Sequence, residues 1–216
     1  MPSETFFNLP EEKRERVLDA AIKEFAQHPY HKSSINRIVE EADIAKGSFY
    51  QYFSDKKDLF KYIVELITEE KMTYISKAVA EKQNLNFFEL LRELYLAGFR
   101  FTKEHPRLQL VAFRIINLDN QLKEEILDKS EQKSDQFFIK LLEEGIKKEE
   151  IDPNIDIEFT AYLITQLNIS VLEDYFWKKL EFDNEEDLLA ELSKDKLMHL
   201  VDKILYFIRN GIEKNS

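Results

Sequence analysis

Within the seven residues from Lys46 to Tyr52 the chain sets out a cation, a hydroxyl, an amide and two phenols: Lys46, Ser48, Gln51, Tyr50 and Tyr52. On one short helix these types suit nucleic acid. Glutamine can pair bidentately with adenine, and serine and tyrosine hydroxyls reach base edges or phosphates. Lys56 opens the following helix, where a phosphate would meet both its charge and free backbone N–H groups. No comparable set exists for catalysis. The four histidines are His28, His31, His105 and His199, and the HxxH of His28 and His31 straddles a helix end, so it is not a zinc signature. There is no Glu-x-x-His pair for a di-iron bundle. No cysteine is present, which excludes disulfides, thiolate metal sites and cysteine nucleophiles. The four glycines, Gly47, Gly98, Gly145 and Gly211, cannot form a dinucleotide or Walker-type phosphate loop. No catalytic residue, metal ligand or cofactor is therefore assigned.

The elements that position Lys46–Tyr52 are helices. Hydrophobic spacing is close to 3.6 along nearly the whole chain and never strictly two. A first helix is expected over 10–27, with Pro10 in its opening turn and Val17, Leu18, Ala21, Ile22 and Phe25 on one face. Pro29 ends it. Residues 34–41 form a short helix capped by Ser33 or Ser34. A tight turn at Ala42-Asp43-Ile44 follows, in which Asp43 can adopt left-handed geometry. Residues 45–52 form a second short helix with Phe49 and Phe53 inward. Tyr50 and Tyr52 either face phosphate or lie half-buried on the core. Ser54 or Asp55 caps a longer helix over 56–80. Two short helices joined by a three-residue turn and packed on a longer one are the plan of a helix-turn-helix, whose second helix enters the major groove.

The residues are more specific than the plan. The run Lys46-Gly47-Ser48-Phe49-Tyr50-Gln51-Tyr52-Phe53, then Asp55-Lys56-Lys57-Asp58-Leu59-Phe60, resembles the DNA-binding region of the TetR family of transcriptional regulators. Ala20-Ala21-Ile22-Lys23-Glu24-Phe25 is similar to that family's first helix, and the detailed resemblance covers residues 10–65. It implies an all-α protein: a three-helix head containing the helix-turn-helix, and a C-terminal helical bundle for ligand binding and dimerisation. The expected boundaries are 1–55 for the head, 56–80 for a connecting helix and 81–216 for the second domain. By the same resemblance Ser34, Asn36, Lys46, Ser48, Tyr50, Gln51, Tyr52 and Lys56 match positions that touch DNA. Three residues depart from the pattern: Asp43 for the usual turn glycine, Ala45 for serine or threonine, and Val39 for a small alanine.

Charge distribution agrees with this division. The chain of 216 residues carries 42 acidic and 31 basic residues, a net charge of −11. Residues 1–61 hold ten basic and eleven acidic residues, so nearly all the net negative charge lies beyond them. Residues 44–57 carry three lysines against one aspartate. Non-specific attraction to DNA should be weak and salt-sensitive.

Beyond residue 80, helices are expected over 87–104 (with an Asn86/Glu89 capping box), 106–117, 120–148 and 157–179, followed by a last long helix opening at Asp183 or Asn184, either directly or after an irregular start, and ending near Gly211. The helix from 157 is apolar nearly all round yet contains Gln166, Asn168 and Ser170, so it must be buried on every side. Residues expected to line a small-molecule pocket are Tyr95, Phe99, Arg114, Asn117, Tyr162, Gln166 and Asn168. Arg114 would meet an acidic ligand or pair with a carboxylate. Leu197, Leu200, Val201, Ile204, Leu205 and Ile208 form a seam that, with 157–179, builds a four-helix dimer interface or else is buried within the subunit. No apolar run approaches the ~18 residues of a membrane helix, and Met1 to Pro10 lacks the features of a secretory signal. The expectation is a cytoplasmic, homodimeric repressor that binds a double-stranded DNA operator and an unidentified small-molecule effector. The alternatives are a helical protein–protein adaptor and a small-molecule enzyme on a helical bundle.

Overall fold

The computed structural model describes residues 1–81, 85–115, 118–168 and 184–212. Among these residues the chain forms eleven α-helices and one turn of 3₁₀ helix, with no strand. The head contains α1 (Glu4–Phe7), α2 (Glu11–Gln27), α3 (Ile35–Glu41) and α4 (Lys46–Tyr52). A 26-residue helix, α5 (Lys56–Glu81), leaves it. The body follows as α6 (Phe87–Glu104), α7 (Pro106–Ile115), α8 (Asn120–Lys147), α9 (Ile157–Leu167), α10 (Glu185–Glu191) and α11 (Lys194–Ile212).

Helix α5 is about 39 Å long at 1.5 Å per residue, and it belongs to both ends of the molecule. Its first turns bury Leu59, Phe60 and Ile63 in the head, where Phe60 packs edge-on against Phe25 with centroids 4.9 Å apart. Its later turns pack on α6, with Tyr74 edge-on to Phe101. Helix α2 also packs against α7, so a single apolar core runs from Phe6 through to Ile208.

Local chemistry explains most helix starts. Asp55 accepts the Asp58 N–H at 2.8 Å and caps α5, and the Asp58 carboxylate accepts the Ser54 N–H at 3.1 Å. The Asn86/Glu89 capping box is complete. Asp119, Asp156 and Asn184 cap α8, α9 and α10 through their side chains. Three features differ from the sequence reading, and a fourth decides between two alternatives it left open. Helix α1 is an extra element. Ser34 stands at the N-cap of α3 but makes no side-chain cap bond. The last long helix divides into α10 and α11 on either side of Leu192 and Ser193. Finally, Leu197, Val201, Ile204 and Ile208 are buried within the subunit, and α11 packs on α6 through them. The seam is therefore intramolecular, which was one of its two readings. The 157–179 helix is described only as far as Asn168, so Ser170 lies outside the described residues, as does Asn117.

Two non-glycine residues have positive φ. Asp43, at 51°, makes the turn between α3 and α4 as its sequence position suggested. Glu149, at 60°, ends α8. The Glu150 N–H donates to Gly145 O at 2.9 Å and the Glu149 N–H to Ile146 O at 3.0 Å, which is a Schellman closure. That closure folds Ile151 back onto Gly145, where an added Cβ would lie 2.7 Å from the buried Ile151 Cγ1. Gly145→Ala should therefore cost about 1–3 kcal/mol through overpacking, read as a lower urea midpoint at fixed protein concentration. Glu149→Gly should raise stability by about 0.5–1 kcal/mol, read as a higher urea midpoint, because glycine occupies the left-handed region without a steric penalty.

Candidate nucleic-acid interface

Helix α4 has two turns, too few to be stable alone. Its geometry is set by what it packs on. Phe49, Tyr52 and Phe53 are 0%, 3% and 1% exposed, and they fix the inner face. Phe53 and Tyr52 meet Phe6 of α1 at centroid distances of 4.8 and 6.0 Å. The outer face then necessarily presents Lys46, Gly47, Tyr50 and Gln51, all exposed. An added Cβ on Gly47 would meet nothing within 4 Å, so the outer face is open there. Tyr50 is held edge-on to Phe49, with planes at 84° and centroids 5.3 Å apart. Ser48 is half-buried, and Asn36 is exposed on α3.

Two predicted DNA contacts are placed elsewhere. Tyr52 is turned into the core by its spacing of three from Phe49, so its ring supports α4 from within. Lys56 is turned inward as well. Its ammonium donates to Tyr30 O at 2.6 Å and Ser33 O at 2.9 Å and lies 4.5 Å from the Tyr30 ring centroid. Burial lowers its pKa from the ordinary lysine value, and Glu24 offsets part of this. Lys56 thus ties the α2–α3 connection to α5. The residues left facing outward together are Asn36, Lys46, Tyr50 and Gln51, with Ser34 and Ser48 partly covered.

The sequence reading missed Glu24 and Arg37. Glu24 occupies the inward stripe of α2 with Val17, Ala20, Ala21 and Phe25 and is 5% exposed. Its Oε1 accepts the Ser34 N–H at 2.7 Å and the Arg37 guanidinium at 2.5 Å; its Oε2 accepts Arg37 Nε at 3.0 Å. Arg37 also donates to Lys32 O at 2.8 Å. Glu24 therefore supplies the N-terminal acceptor that Ser34 does not, and it ties α3 to α2. The signal in the sequence was a carboxylate on an otherwise apolar stripe. Burial alone would raise the Glu24 pKa, but the hydrogen bonds from Arg37 and Ser34 outweigh it and hold the carboxyl below 4.5.

Comparison with known proteins agrees with this geometry. The family model described as bacterial regulatory proteins, tetR family, matches residues 17–63, from α2 into α5. The crystal structure of a TetR family transcriptional regulator from Chloroflexus aurantiacus J-10-fl is 32% identical, aligns over 100% of both chains and has a TM-score of 0.69. The chain belongs to the TetR family of transcriptional regulators. Two Bacillus subtilis (strain 168) relatives of this TetR-family protein align nearly end to end. The uncharacterized HTH-type transcriptional regulator YhgD is 25% identical over 84% of this chain and 92% of its own. The fatty acid metabolism regulator protein is 26% identical over 88% and 94%.

In the body of this TetR-family chain, the predicted ligand residues separate. The Tyr95 hydroxyl donates to Asn168 Oδ1 at 2.6 Å, linking α6 to α9, and burial pushes the phenol pKa up. Phe99 lies one turn from Tyr95 and is half-buried, as is Gln166. The hydroxyl of buried Thr165, one turn before Asn168, has no hydrogen-bond partner among the described residues. Tyr162 is instead 49% exposed beside Phe159 and Leu163 on the outer face of α9. Arg114 Nε donates at 2.8 Å to Ala26 O in the last turn of α2. Arg107 bridges Asp19 of α2 at 3.3 Å and Glu185 of α10 at 2.7 Å. A groove of about 380 Å³ lies at this head–body joint between Lys23, Gln27, Arg107, Leu110, Asn184 and Glu186; none of the predicted ligand residues lines it. Among the described residues no helix is long and apolar enough to cross a membrane.

Glu24→Gln should destabilise the protein by about 1–3 kcal/mol at pH 7. The carboxylate's folded pKa is depressed, so its contribution is complete above about pH 4.5 and is withdrawn as the pH falls through the folded value. The gap between wild type and variant in urea unfolding should therefore narrow below pH 4.5.

Proposed function

We propose that this protein is a homodimeric, ligand-responsive repressor that binds a palindromic operator through α3 and α4. The observation that carries this reading is the array Lys46, Tyr50 and Gln51, aimed outward by an inner face that is almost wholly buried. In this reading residues 1–55 are the DNA-binding head, α5 is the connecting helix, and the remainder binds the effector and the second subunit. Gln51 and Tyr50 reach base edges or phosphates, Lys46 pairs with a phosphate, and Asn36 and Ser48 add polar contacts from the flanks.

Dimerisation is supported by exposed apolar side chains. Phe159, Tyr162 and Leu163 stand out on α9, and Tyr206 and Phe207 are 72% and 69% exposed on α11. Exposed apolar faces of this kind favour partner surfaces, and a second copy of the chain is the occupant proposed for them. The effector sits near Tyr95, Phe99, Gln166, Thr165 and Asn168. The name of the fatty acid metabolism regulator makes fatty acids and their thioesters the first probes. Arg114 and Arg107 hold α7 to α2, so a change in α7 is passed to the head. The effector acts only through its difference in affinity for the DNA-compatible arrangement and a competing one.

Selection of bound fragments from random duplex DNA at about 150 mM salt tests this reading. A palindrome with half-sites about one helical turn apart is expected. Tyr50→Ala should then weaken binding about tenfold with the dimer intact. Lys46→Ala should reduce the salt slope by about one per head. Recovery of no shared sequence would contradict the repressor reading and favour the adaptor.

A further inference from the structure

Helix α4 is also held at its C-terminal end, by a residue far away in sequence. The last carbonyls of a helix lack intrahelical donors, and in α4 two of them are served by Ser3. The Ser3 N–H donates to Tyr52 O at 2.9 Å, and the Ser3 hydroxyl donates to Gln51 O at 2.6 Å. The same hydroxyl oxygen accepts the Phe6 N–H and so caps α1. Helix α1 is anchored in turn by Phe6, which is fully buried among Tyr52, Phe53 and Tyr62. Pro2 is buried as well. The segment from Pro2 to Phe6 is thus seated on the core, with Ser3 aimed at the reading helix.

We propose that Ser3 is a positioning residue for sequence recognition: its hydroxyl clamps the last turn of α4 and so fixes where Tyr50 and Gln51 point. This rests on the reading of α4 as the DNA-reading helix. The turn at Asp43 fixes the start of α4, and Phe49 and Tyr52 fix its rotation. In a helix of seven residues the last turn carries both Tyr50 and Gln51, and Ser3 alone hydrogen-bonds the carbonyls of residues 51 and 52 from outside α4 among the described contacts. Phosphate contacts tolerate small displacements of a helix, whereas hydrogen bonds to base edges depend on direction. Loss of the clamp therefore lowers discrimination more than attraction. Ser3 itself touches no base in this account.

The test compares Ser3→Ala and Ser3→Thr in the whole chain of 216 residues. Threonine keeps the hydroxyl and is an acceptable helix N-cap. One hydrogen bond corresponds to about a three- to tenfold effect. Ser3→Ala should lose about that factor on the duplex selected by wild type, with affinity for a scrambled duplex unchanged, and Ser3→Thr should restore it. Without DNA, hydrogen exchange at the amides of residues 50–53 should be about three- to tenfold faster in Ser3→Ala and normal in Ser3→Thr. Wild-type exchange in Ser3→Ala overturns the clamp, as does equal loss on selected and scrambled duplexes. A wild-type protein that selects no duplex sinks the repressor reading instead, and the exchange comparison still decides the clamp.

Discussion

The Glu24 carboxylate accepts hydrogen bonds from the Ser34 N–H and from the Arg37 guanidinium, all inside a shell that leaves it 5% exposed. A carboxylate in that position is costly unless it is fully paired. The pairing dictates the arrangement around it. The start of α3 must face α2, and Arg37 must reach back across the connection. Helix α3 places the turn at Asp43, the turn places α4, and α4 places Tyr50 and Gln51. A change at Glu24 therefore propagates to side chains it never touches.

Around that pair the irregular segment between α2 and α3 is satisfied by side chains from three directions. Arg37 serves Lys32 O, Lys56 serves Tyr30 O and Ser33 O, and the Ser33 hydroxyl also serves Tyr30 O. Without these donors the carbonyls of Lys32 and Ser33 would be left to solvent. Lys56 points inward to do this, so its ammonium is not displayed beside Lys46 as the sequence suggests. The head is also joined to the body at the C-terminus of α2, where Arg114 meets Ala26 O. That joint gives the two ends of the molecule a common mechanical element.

Most of the helical plan was legible because it follows from short-range rules. Capping side chains at Asp55, Asn86, Asp156 and Asn184 lie within a few residues of the groups they satisfy, and periodicity marks which face turns inward. Asp43 was legible as a turn residue for the same reason. The family match was legible in the run from Lys46 to Phe60. Long-range pairings were not. Nothing near Ser3 announces that it bonds residues 51 and 52, and nothing near Arg114 points to Ala26. Tyr52 was ambiguous because a tyrosine serves equally as core or contact, and only packing against Phe6 decides. The division of the last helix at Leu192 and Ser193 carries no glycine or proline to mark it.

The central claim is that the outer face of α4 enters the groove of the operator. Replacing Gln51, and separately Phe159 on α9, by a photoreactive phenylalanine analogue tests it most directly. On irradiation with bound duplex DNA, the account predicts crosslinks to bases within each half-site from position 51 and none from position 159. Crosslinks from position 159 with none from position 51 would contradict it.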